Sequence, residues 1–149
     1  MSKENQFINI SNIQGKIYLQ LIELLFSKCT MFVIADEYDS LDSFATQLNE
    51  SIMNTHYSKS WPGTKSSHKA KIHKFVCDHN SKSLFKKYTC FITEKDNAYL
   101  TCNEDFQVDI SFFTKNDNSE KCVLYTTTHE GNVFLLKELY NELIKTKLN

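Results

Sequence analysis

Cysteine and histidine are the metal-binding residue types of this chain, and their spacing is the first test of its chemistry. The chain has five of each. Zinc sites usually combine two closely spaced pairs, whereas only Cys77 and His79 are close together in the sequence. A turn at 94–97 would place Cys90 and Cys102 on opposite faces of a β-hairpin, because neighbours in a strand alternate. We therefore predict free thiols, no metal site and no cofactor.

The same residue types could supply nucleophilic catalysis if a cysteine lay beside a histidine and an orienting carboxylate. Cys29 or Cys122 could form such a pair with His129, but any chain with five cysteines and five histidines allows a pairing of this kind. The sequence has no Rossmann, P-loop, HExxH, GxSxG or EF-hand pattern, and three glycines are too few for a glycine-rich phosphate loop. We predict that the protein is not an enzyme, with an enzyme of unrecognised site as an alternative.

Charge is distributed in blocks, although the net charge is only −1 and every one of the 17 basic residues is a lysine. Acids dominate residues 30–55, lysines dominate residues 56–88, and acids dominate again at 94–120. An acidic surface with aromatic residues suits a basic protein partner. The predicted partner-binding residues are Asp36, Glu37, Tyr38, Asp39, Asp42, Trp61, Glu104, Asp105 and Asp109.

The acids between residues 36 and 42 also have alternative interpretations. Asp39 can cap a helix, and Asp42 can stabilise its first turn through the helix dipole. Carboxylates at a strand end also suit magnesium. We favour capping, alone or as part of a protein-binding surface, over a metal site.

Residues 60–75, SWPGTKSSHKAKIHKF, contain the only tryptophan and the only proline. We predict a turn at Pro62 and Gly63 and a loop that continues through Lys69, within a lysine-rich stretch at 59–74. Lysines interleaved with aromatic residues are typical of proteins that bind single-stranded nucleic acid. The lack of arginine and a pI of about 6.5 argue against that function. Nucleic-acid binding through this loop is an alternative function, and a solvated loop without function is another.

Hydrophobic periodicity predicts the elements that position these residues. Helices are expected at 10–28, at 39–55 and from residue 132 onward, with a short helical turn at 81–86. Strands are expected at 30–35, 71–77, 88–93, 98–102, 106–114 and 121–127. We predict a single domain over residues 1–149 of the α+β class, with an antiparallel sheet of about four to six strands packed by N-terminal helices and a C-terminal helix.

Two fragments, ADEYDSLDSF and CNEDFQVDISFF, hold the acidic and aromatic stretches expected to contact a partner. In size and composition the whole chain resembles the immunity proteins that bacteria encode beside secreted antibacterial toxins. The resemblance implies an inhibitor that neutralises one cognate toxin, such as a nuclease. The chain shows no secretory signal and no apolar stretch of about 18 residues, so we expect a cytoplasmic protein without membrane association. A homodimer through an exposed sheet edge is a further alternative.

Overall fold

The structure is a computed structural model that describes residues 6–37, 44–88, 90–91, 108–116 and 119–148. Within these residues, seven strands form one antiparallel sheet with the order β1-β7-β6-β5-β2-β4-β3. The strands are β1 (Phe7–Asn9), β2 (Met31–Asp36), β3 (Ile52–Trp61), β4 (Thr64–Val76), β5 (Asp109–Asn116), β6 (Ser119–Thr127) and β7 (Asn132–Leu136). The helices are α1 (Lys16–Lys28), α2 (His79–Phe85) and α3 (Lys137–Leu148), with 3-10 segments at Phe44–Ser51 and Thr128–Glu130.

One face of the sheet, here called the helix face, packs against all three α-helices. Phe32 and Ile34 of the central strand β2 belong to its core, together with buried side chains from α1, α2 and α3. The Tyr18 hydroxyl of α1 donates to the backbone carbonyl of Phe85 at the end of α2, at 2.7 Å. This buried bond satisfies the one polar atom that the tyrosine brings into the core.

The opposite face of the sheet is covered by part of the β3–β4 hairpin, and we call it the hairpin face. Its smaller core contains Met31, Val33 and Ala35 of β2 with Ala70 and Ile72 of β4. Side chains in a strand alternate between the two faces. Because both faces of β2 are covered, all six of its residues are buried.

The α+β class is confirmed, and the sheet has more strands than predicted. The strand at residues 30–35 and the helical turn near residue 81 were predicted correctly, and strands β5 and β6 match the last two of the predicted β region. The first helix is also present, although it begins at Lys16 and is preceded by the unpredicted strand β1. The predicted strand at 98–102 and most of the one at 88–93 lie outside the described residues.

Two predicted elements are wrong, and a third, the last helix, begins later than predicted. The helix expected at 39–55 is, in its described part, a 3-10 segment followed by β3, and the loop expected after Pro62 is part of the 13-residue strand β4. Residues 52–57 are exposed, so β3 has no buried face to impose an alternating pattern. The last helix begins at Lys137, because the apolar run Asn132–Leu136 forms strand β7. Such short apolar runs fit a strand or a helix equally well by pattern.

Candidate binding cavity under the hairpin

A cavity of about 420 Å³ lies where the tip of the β3–β4 hairpin folds over the hairpin face of the sheet. A pocket of this size is in the range that takes a small ligand or a partner side chain. Both acidic and basic groups line it together with apolar side chains, so its lining is mixed in character. The residues that supply this lining include Glu37, Trp61, Ser66, His68, Asp109 and His129.

The hairpin bends because its two strands are unequal in length. Between the paired residues Ser58↔Ala70 and Ser60↔Lys65, β3 advances by two residues while β4 advances by five. Extra residues of this kind form a bulge, which bends a strand and increases its twist. The bulge in β4 therefore turns the end of the hairpin away from the plane of the sheet, and its residues form one wall of the cavity.

Gly63 at the tip of the hairpin touches strand β6. A Cβ atom at this position would lie 2.7 Å from ring carbons of Tyr125 and 2.9 Å from the Thr127 methyl group. Its φ of 85° also belongs to the region that glycine adopts most readily. Since β5 and β2 separate β6 from β4 in the sheet, the tip crosses two strands to reach this contact.

Asp109 at the start of β5 holds the folded hairpin in place. Its Oδ2 accepts a hydrogen bond from Trp61 Nε1 at 2.8 Å and a longer one from the Thr64 hydroxyl at 3.5 Å. Its Oδ1 accepts from the backbone N–H of Thr128 at 2.8 Å. Hydrogen bonds to an ionised carboxylate are stronger than neutral ones. One carboxylate thus connects the hairpin, β5 and the 3-10 segment after β6.

Glu37, directly after β2, also lines the cavity. The Ser66 hydroxyl donates to its Oε2 and accepts from the backbone N–H of His68 at 3.1 Å. These bonds connect the bulge of β4 to the end of β2. In the described part of the chain, the other oxygen of Glu37 makes no hydrogen bond, so it can accept from a ligand.

The structure brings together three of the nine predicted partner-binding residues: Glu37, Trp61 and Asp109 line the same cavity. Asp36 is only 2% exposed, so its side chain is not presented to a partner. The other five predicted residues, Tyr38, Asp39, Asp42, Glu104 and Asp105, lie outside the described residues.

Sequence reasoning missed the hydroxyl residues that complete this site. Thr64, Ser66 and Thr128 each bond to one of the two lining carboxylates through a side chain or the backbone. No local pattern marks them, because their partners are far away in the sequence. Trp61 and Asp109, for example, are separated by 48 positions.

The side chains in and around the cavity do not form a nucleophile and base pair. The Ser66 hydroxyl is engaged by Glu37 and by the backbone of His68. The imidazole of His129 lies 3.5 Å from Glu130 on the exposed side of its 3-10 segment. Within the described ranges, neither His68 nor His129 bonds to a hydroxyl or a thiol through its ring, as nucleophilic catalysis would require.

Three of the cysteines that the structure describes are also poorly suited to catalysis. Cys29, Cys77 and Cys122 are free thiols. Burial raises the pKa of Cys29 to about 12 and that of Cys122 to about 12, and it raises the pKa of Cys77 as well. These three thiols therefore stay protonated near neutral pH, whereas the thiolate is the reactive form. Across the described residues, no three His, Cys, Asp or Glu side chains are grouped closely enough to hold a metal ion.

No protein-family model matches the sequence, and no curated protein or solved structure shows significant similarity to it. Among the helices that the structure describes, none combines the length and apolar character needed to cross a membrane.

Proposed function

We propose that this protein binds one cognate protein and inhibits it, in the manner of a toxin-immunity protein, with the cavity under the hairpin as the centre of its binding surface. The observation that carries the proposal is the hydrogen bond between Trp61 and Asp109. It fixes the single tryptophan of the chain at the wall of the cavity, which a second carboxylate, that of Glu37, also lines.

Tryptophan is among the residues that contribute most to binding at protein interfaces, particularly when it lies in a packed pocket. Trp61 is half-buried, which leaves part of its ring for a partner to contact. Because Asp109 already holds the indole N–H, little side-chain freedom is lost when a partner binds. The tryptophan side chain is thus preorganised for binding.

The carboxylates indicate which group of the partner enters the cavity. Both carboxylate oxygens of Asp109 accept hydrogen bonds from within the protein. In the described part of the chain, only one oxygen of Glu37 does so. A lysine or arginine side chain of the partner can donate to Glu37 and pack its aliphatic part against the Trp61 ring. A nuclease toxin, whose substrate groove is basic, offers such side chains.

A capture experiment followed by measured affinities tests this function. Tagged protein is incubated with nuclease-treated and untreated host lysate, and the retained partner is identified by mass spectrometry and purified. We expect a stoichiometric complex that survives nuclease treatment and whose association rate falls as salt is added, because salt screens long-range steering. The same partner should lose its own activity in the complex.

Substitutions then locate the binding surface. Glu37→Gln and Trp61→Ala should each raise the Kd by about tenfold or more, the effect of removing a charged or aromatic interface anchor. Glu138→Gln is the control, because it removes the same charge from an exposed position of α3 that does not line the cavity. It should leave the Kd unchanged. Equal affinities for Glu37→Gln, Trp61→Ala and the unmodified protein, with circular dichroism showing intact folds, would contradict the proposal.

A further inference from the structure

The β3–β4 hairpin carries a basic surface that the cavity does not use. We define the lysine face as Tyr57, Lys59, Lys69 and Lys71. Tyr57 and Lys71 are paired across the two strands, so their side chains share a face. Lys59 and Lys69 are the next residues toward the hairpin tip after the pair Ser58↔Ala70, at the edge of the bulge, and both are exposed.

This surface is on the opposite side of the hairpin from the cavity. Ala70 and Ile72 point into the core of the hairpin face, so the residues that alternate with them, Lys69 and Lys71, point the other way. The lysine face and the cavity can therefore each be occupied without the other.

The charge of the hairpin is strongly uneven relative to the rest of the chain. Residues 52–76 contain five lysines and no acidic residue, a charge of +5, and the net charge of −1 leaves −6 for all other residues. The ion pairs formed by lysines among the described residues involve Lys28, Lys82 and Lys86. In that part of the chain, no lysine of the hairpin is neutralised by such a pair.

The arrangement brings like charges close together. Lys59 and Lys69 both lie beside the pair Ser58↔Ala70 on adjacent strands, where their positive charges repel each other, and the acid that the register places opposite the lysine face is the buried Asp36, paired with Lys71. Tyr57 is 60% exposed, the largest exposed fraction among the big apolar and aromatic side chains of the described residues. A bound polyanion would offset the repulsion, and an aromatic base would cover the ring.

We propose that the lysine face binds single-stranded nucleic acid without base specificity. The lysines neutralise phosphates, and a base stacks on Tyr57, the combination by which such proteins hold single strands. Because the chain has no arginine, it lacks the side chain that most often reads base edges in a duplex. Stacking needs an unpaired base, which favours a single strand over a duplex, and it needs a ring, which favours nucleic acid over an acidic protein.

Fluorescence anisotropy with a labelled oligothymidylate measures this binding as a function of salt. The test variant changes Lys59, Lys69 and Lys71 to Gln together. The control variant makes the same charge change at the exposed lysines Lys16, Lys137 and Lys145, outside the hairpin. Each lost phosphate contact should reduce the slope of log K against log salt by about 0.7. We expect a reduction of about 2 in the test variant and little change in the control.

Stacking is tested separately with Tyr57→Ser, which should weaken binding about tenfold. Met53→Ser is its matched control, because Met53 lies on the same strand, is 52% exposed and has no ring. Both side chains are exposed, so both variants should fold, which circular dichroism checks.

Four results would overturn the inference. The first is the absence of binding at low salt, and the second is an equal reduction of the salt slope in the two lysine variants. The third is tighter binding of the matching duplex than of the single strand. The fourth is that polyglutamate competes as well as the oligonucleotide while Tyr57→Ser has no effect. The last of these would indicate an acidic protein as the partner.

Discussion

The two faces of the sheet are held together by different means. On the helix face, the centroid of the Phe32 ring lies 5.1 Å from the ring centroids of Phe75 and Phe85 and 5.4 Å from the ring centroid of Phe112. On the hairpin face, the core consists of small and aliphatic residues, and a carboxylate holds the tryptophan that closes it. The comparison indicates that the helix face holds most of the buried core, whereas the hairpin face supplies the shape of the candidate site.

Adjacent residues of β2 test this division most directly, because Phe32 and Val33 point to opposite faces. Phe32→Ala should lower the free energy of unfolding by about 3–5 kcal/mol, the usual cost of deleting a buried phenyl ring. Val33→Ala deletes about two methylene equivalents and should cost roughly 2 kcal/mol. Urea unfolding followed by circular dichroism measures both. A cost for Val33→Ala equal to that for Phe32→Ala would remove the distinction between the faces.

The contact between the hairpin tip and β6 is tested by Gly63→Ala. A Cβ at this position would meet the Tyr125 ring. That ring cannot move easily, because the ring centroids of Phe7 and Phe134 lie 5.2 and 5.1 Å from its own. Overpacking of about 1–3 kcal/mol should add to a backbone cost of about 1–2 kcal/mol.

Gly131→Ala is the control for that backbone cost, since Gly131 is also left-handed but a Cβ there would meet nothing within 4 Å. Thermal unfolding should therefore show a larger loss for Gly63→Ala than for Gly131→Ala. Similar losses would mean that the tip of the hairpin does not rest on β6.

The helix face was easier to predict from the sequence than the hairpin face. The buried strand β2 and helix α1 show the continuous or helical apolar patterns that burial imposes. Strand β3 has no buried side over residues 52–57, so neither pattern appears in its sequence. The bulge in β4 arises from unequal strand lengths, which no local signal records.

The same limit applies to the candidate site. Composition was enough to select Glu37, Trp61 and Asp109 individually, because acids and a lone tryptophan are conspicuous. Their meeting in one cavity depends on the bend of the hairpin and on a hydrogen bond across 48 positions. The basic hairpin was also visible as a charge block, but the separation of its lysine face from the cavity follows only from the register of β4 with β2 and β3.

Asp109→Asn should loosen the hairpin face while leaving the helix face intact. The amide keeps one oxygen, but its NH₂ group cannot accept from Trp61 or Thr128, so we expect a loss of about 1.5–3 kcal/mol. Fluorescence of Trp61, the only tryptophan, should shift to longer wavelength as water reaches the indole ring. Far-UV circular dichroism in the absence of urea should not change. An unshifted emission spectrum would show that Asp109 does not position the tryptophan.

On the helix face, Asp78 provides the counterpart to Asp109, and we expect its charge to matter least. It caps α2 by accepting from the backbone N–H of Ser81 at 2.9 Å, and it accepts from the Ser51 hydroxyl at 3.0 Å. Burial raises the pKa of Asp78, but the hydrogen bonds from Ser81 and Ser51 outweigh it and hold the pKa below its ordinary value. Since asparagine is also a good N-cap, Asp78→Asn should cost less than about 1 kcal/mol at neutral pH.

The pH dependence separates the charge of Asp78 from its role as a cap. A carboxyl whose pKa is lower in the folded protein stabilises the fold fully above its unfolded pKa, near 3.9, and loses that contribution as pH falls through the folded pKa. The difference in urea midpoint between the unmodified protein and Asp78→Asn should thus be constant at neutral pH and shrink below about pH 4. A difference that grows on acidification would mean that the Asp78 carboxylate is destabilised in the fold, and that the helix face tolerates its charge instead of using it.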